Sequence, residues 1–111
     1  MANNTYSTLS YAERAGMYLK SRLAHDKQLL SKEDRKGFRD EFAYRIGVDP
    51  RTLRRYCVAI HDIDTIAFIA EVLGVEVGDM LSYDGEDIPF LFTILNYQIT
   101  INFINIRSFE L

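Results

Sequence analysis

The sequence predicts a mainly α protein: five helices followed by a short C-terminal β-hairpin tail. Three observations predict it. Capping signals are followed by apolar residues at three- and four-residue spacing as far as residue 82, and glycines stand where those runs stop. After Pro89 the apolar spacing changes to every second residue.

The elements follow in order. Ser10 with Glu13 has the spacing of a capping box, in which each side chain satisfies a free amide at a helix start. Ala12, Ala15, Leu19, Leu23 and Leu30 then recur at helical spacing, with Arg14, Lys20, Arg22 and Lys27 on other faces. This predicts a first helix over residues 10–25 or a little beyond. Ser31 with Asp34 opens a second helix expected to run to Ile46 on the period-four residues Phe38, Phe42 and Ile46, with Gly47 as its stop. Asp49 as N-cap and Pro50 at the first helical position restart the helix, expected over about 50–59. Asp62 caps a fourth helix with Ile63, Ile66, Ile69, Ala70 and Leu73 on one stripe and Gly74 as its stop, and residues 76–82 form a short fifth. Tyr97, Ile99, Ile101 and Phe103 alternate with Gln98, Thr100 and Asn102, and residues 89–95 form a shorter apolar run, so two strands are expected there.

With 111 residues the chain has room for one domain or one domain with an appendage. The reading is a domain over 10–82, an acidic connector over 83–88 and a β tail over 89–111. At 48% hydrophobic residues the chain is too apolar for disorder, and its single cysteine excludes an internal disulfide. MANNTYSTLS has neither a basic n-region nor an apolar h-region, and no stretch approaches the ~20 apolar residues of a membrane span. A cytoplasmic protein with no membrane partner is expected.

The net charge of −3 conceals a division. Residues 13–56 hold 12 Lys/Arg against 7 Asp/Glu, whereas residues 57–111 hold one base, Arg107, against 9 acids. Fields act locally, so the basic half is read by itself.

That half contains Phe42-Ala43-Tyr44-Arg45-Ile46-Gly47-Val48-Asp49-Pro50-Arg51-Thr52-Leu53-Arg54-Arg55-Tyr56. Two short helices meeting across Gly47-Val48-Asp49 form a helix-turn-helix, a connection that frees the second helix to lie in a DNA major groove. At about 100° per residue, Leu53, Tyr56, Cys57 and Ile60 fall on one side and Arg51, Arg54 and Arg55 on the other. Outward arginines there pair with phosphates or read guanine through two bonds each. A solvated basic face is the plainer alternative.

Residues ~12–82 resemble the Cro/repressor-type (Xre-like) helix-turn-helix domain, the lambda-repressor-like five-helix DNA-binding fold. The resemblance is carried by Ala43 to Tyr56, by Leu73-Gly74-Val75 and by Asp79-Met80-Leu81 at the family's separation. It implies groove-facing positions for Pro50, Arg51, Arg54 and Arg55, and puts Arg39 where the family often carries a glutamine that contacts a phosphate. Arg45 is a further expected phosphate contact. The segment 28–37 is longer than the family's usual link between its first two helices, and Cys57-Val58-Ala59-Ile60 replaces the glutamate and glycine that often follow its third helix.

Phe68 and Val72 lie opposite Ile66, Ile69 and Leu73, so the fourth helix needs a second covering surface. An isolated hairpin is marginal in water, so the tail must pack on a helix or on another chain. A homodimer through Phe68, Val72, Ile99, Ile101 and Phe103 is expected; a hairpin folded back on its own domain is the alternative. The family resemblance implies dimers on inverted repeats of double-stranded DNA.

Cys57 is expected to be an inert core thiol. His25 and His61 have no partner at ligand spacing, so no metal site is expected, and no motif suggests catalysis or a cofactor. The expected function is sequence-specific DNA binding as a transcriptional regulator, a repressor of the phage or mobile-element kind. The alternative is a protein-interaction module, such as an antitoxin or phage-encoded inhibitor, that binds a protein partner through the β tail or the acidic half.

Overall fold

The computed structural model describes residues 8–85. Over them the chain is mainly helical, with six helices: α1 (Tyr11–Gln28), α2 (Lys32–Arg35), α3 (Phe38–Arg45), α4 (Pro50–Tyr56), α5 (Ile63–Leu73) and α6 (Val77–Leu81). The tail expected over 89–111, with Ile99, Ile101 and Phe103, lies outside the described residues.

The local capping chemistry forms as the sequence predicts. The Ser10 hydroxyl accepts from the Glu13 amide at 3.2 Å, while the Ser10 amide donates to Glu13 Oε1 at 2.9 Å. Bonding to Ser10 holds the Glu13 carboxyl below its ordinary range. Asp62 accepts from the Thr65 amide and hydroxyl, and Gly74 ends α5 in the left-handed region at φ 74°. The core lies where α1, α3, α4, α5 and α6 meet, around Leu19, Leu23, Leu53, Ile60, Ile66, Ile69 and Met80.

Four expectations are corrected. The second helix is two: Ser31 caps only the single turn of α2, Lys36 is extended and Gly37 takes φ 72°, so α3 starts afresh at Phe38. The chain therefore has six described helices where five were expected. Phe38, Phe42 and Ile46 are all buried nonetheless, because their spacing belongs to the α3 segment.

The helix expected over 50–59 stops at Tyr56. Beyond it the backbone crosses α1: the Ile60 amide donates to the Ala12 carbonyl at 3.0 Å. The crossing is made at Gly16, where an added Cβ would stand 2.5 Å from the Val58 carbonyl carbon. The Val58 and Ala59 amides still close a turn on the Arg55 carbonyl, and from Ile60 the backbone bonds to α1 instead of continuing the helix.

Ile63, expected in the buried stripe, is 48% exposed. It is the first residue of α5, and helical side chains lean toward the N-terminus, which carries this one past the edge of the core. Arg22, assigned to a face away from the apolar stripe of α1, is fully buried. Its Nε donates to Asp26 Oδ2 at 2.7 Å and its Nη2 to the Leu73 carbonyl at 3.2 Å. A cation thereby meets the carbonyl end of α5, where the helix dipole favours it.

Candidate nucleic-acid interface

The connection between α3 and α4 is built from three local devices. Ala43 is fully buried, and the Val48 amide reaches back to the Ala43 carbonyl at 3.0 Å. Gly47 holds φ 81°, a conformation that costs a residue with a Cβ roughly 1–2 kcal/mol. Asp49 then accepts from the amides of Arg51 at 2.8 Å and Thr52 at 3.0 Å, satisfying two donors that the first turn of α4 leaves free. Val48 is half-buried against the core, as is Tyr56, and Leu53 is 1% exposed.

With Leu53 turned inward, the opposite face of α4 is solvent-facing. Pro50, Arg51, Arg54 and Arg55 are all exposed. Arg55 Nη2 donates to Thr52 Oγ1 at 3.3 Å; the side chains of Arg51 and Arg54 have no partner among the described residues. The three arginines expected on one outward face are therefore together and available.

The two residues expected on phosphates differ from them. Arg45 and Arg39 are both half-buried on α3, and Arg39 Nη1 lies 3.9 Å from Cys57 Sγ. Cys57 is buried, which pushes its thiol above the ordinary range, with Arg39 pulling the other way. A thiol so placed holds little thiolate and is a poor nucleophile. Arg39 thus approaches the end of α4 and remains partly exposed.

No family model, curated protein or solved structure matches this chain.

Two other surfaces flank the arginine face. Between α4 and α5, Ile46, Val48, Tyr56 and Phe68 wall an open concavity of about 310 Å³ that is rimmed by Asp62 and Asp64. Phe68 is 45% exposed there, whereas Val72, paired with it in the sequence reading, is half-buried against the core. Between α1 and the start of α3, Lys27, Arg35 and Arg39 line a second hollow. Sequence reasoning missed both this hollow and the buried Arg22–Asp26 pair. The pair had a signal, a four-residue spacing flanked by Leu19 and Leu23; the hollow had none, because its residues come from three helices.

Among the described residues no group of three or more His, Cys, Asp or Glu is placed to hold a metal ion. No described helix is long and apolar enough to cross a membrane.

Proposed function

We propose that this protein binds double-stranded DNA sequence-specifically as a transcriptional regulator, with α4 entering the major groove. The observation that carries the reading is the outward trio Arg51, Arg54 and Arg55 on a helix anchored by buried Leu53 behind the Gly47 turn. At about 1.5 Å per residue, seven residues make a helix near 10 Å long, a segment that a groove about 12 Å wide admits. Pro50, Arg51, Arg54 and Arg55 reach base edges, and Arg39 and Arg45 position the domain on phosphates.

In this reading α3 and α4 are the helix-turn-helix of a Cro/repressor-type domain, followed by a C-terminal hairpin. The hairpin, with Phe68 and Val72, joins two chains into a homodimer on an inverted-repeat operator, and the regulator is a cytoplasmic repressor of the phage or mobile-element kind. Repression follows from occupying a promoter, with neither catalysis nor a cofactor. One observation favours the second reading, a protein-interaction module: the acid-rimmed hollow beside exposed Phe68 has the chemistry to receive an apolar side chain flanked by bases.

Selection of duplexes from a randomised pool tests the proposal. The wild type should enrich one palindromic motif, and an R51A/R54A/R55A variant should enrich none. If the wild type also enriches no motif, the proposal is wrong.

A further inference from the structure

Ala24, Lys27, Gln28, Arg35 and Arg39 line an open hollow of about 280 Å³ between the last turn of α1 and the start of α3. Three of the five lining residues are bases and none is an acid. Like charges gathered on one concave wall repel, and an anion seated among them relieves that repulsion.

The Arg35 guanidinium is held in place before any ligand arrives. Arg35 Nε donates to the Leu30 carbonyl at 3.2 Å and its Nη2 to the Gln28 carbonyl at 3.1 Å. Arg39 Nη1 lies 3.9 Å from Cys57 Sγ, a weak acceptor. Arg35 Nη1, and Nε and Nη2 of Arg39, have no partner among the described residues. Planar guanidinium forks match phosphate oxygens, Lys27 adds a mobile point charge, and groups already ordered lose less freedom on binding.

We infer that this hollow is a phosphate site, separate from the base-reading face of α4, that takes one phosphate group through Lys27, Arg35 and Arg39. The group is either a diester of a DNA backbone or a free phosphate. The first source rests on the DNA reading above; the second does not.

The test is an NMR titration of the whole chain at fixed ionic strength, once with inorganic phosphate and once with a short duplex of arbitrary sequence. The reporters are the Nε–H signals of Arg35 and Arg39 and the amides of Ala24 and Gln28. Saturable shifts with both titrants, the duplex displacing phosphate, assign the site to a backbone diester. Shifts with phosphate alone assign it to a free phosphate. If neither titrant moves these signals the inference is overturned, and movement of α4 signals with duplex would still leave the DNA reading standing.

Lys27→Ala supplies the second measurement, since this exposed side chain makes no bond that the fold needs. With duplex it should weaken binding alike for all sequences and lower the salt slope by about 1. With phosphate it should weaken binding several-fold. Lys32→Ala, outside the hollow, should do neither. A Lys27→Ala variant equal to wild type with both titrants would also overturn the site.

Discussion

Among the described residues, Arg22 and Asp26 are the buried charges, at 0% and 1% exposure. Their pairing, with the second Arg22 bond to Leu73, ties α1 to the end of α5. Removing one member of such a pair strands the other charge away from water. Arg22→Ala should therefore cost about 3–5 kcal/mol by urea denaturation, and a double R22M/D26L change should recover most of the loss. One turn earlier, Tyr18 packs edge-on to Tyr83 with ring centroids 5.4 Å apart. Burial pushes its phenol above its ordinary value near 10, with Arg22 opposing. The folded state thus holds this proton more tightly than the unfolded chain. The stability involved is complete below about pH 10 and is lost as the pH rises through the folded value. Tyr18→Phe should flatten the alkaline limb of a stability–pH curve measured by denaturation.

At the scale of the element, helix starts are local and helix ends are not. Ser10, Asp49 and Asp62 announce α1, α4 and α5 because a capping side chain bonds amides two or three residues ahead, all within one stretch of sequence. The Gly47 turn and the outward arginines were legible for the same reason. The end of α4 was not, since it is set by α1, more than forty residues earlier in the chain. Nor was the break at Gly37: Phe38, Phe42 and Ile46 all lie beyond it, so their spacing is the same whether the helix starts at Ser31 or at Phe38. Arg22 looked like one more surface base because its partner carbonyl, Leu73, is distant in sequence. If the Gly16 crossing sets where α4 ends, Gly16→Ala should destabilise the domain by roughly 1–3 kcal/mol in urea titration. The clashing atoms there are backbone, which yields less easily than the tip of a side chain. The same change should weaken DNA binding beyond what partial unfolding explains, because the Val58 backbone that the new Cβ displaces is continuous with α4.

At the scale of the whole molecule, charge is segregated. The bases Arg51, Arg54 and Arg55 face outward from α4, Lys27, Arg35 and Arg39 line a hollow between α1 and α3, and Asp62 and Asp64 begin α5. A net-acidic chain can in this way present local cationic surfaces to a polyanion. Exposed Phe68, on the acidic side, marks where two chains would join in the proposed dimer. Phe68→Ser should then shift sedimentation toward the monomer and leave the monomer's own stability nearly unchanged, because this ring is already half in water.

The central claim is that α4 reads DNA through three arginines. The most direct test is fluorescence anisotropy with DNA from the protein's own upstream region against random DNA, from about 50 to 200 mM salt. Preferential binding is expected, with log affinity falling against log salt at a slope of about −4 to −5 if some five phosphates are engaged. The R51A/R54A/R55A variant should keep its fold and lose the preference. Equal binding of both DNAs, unaffected by the three changes, would contradict the claim.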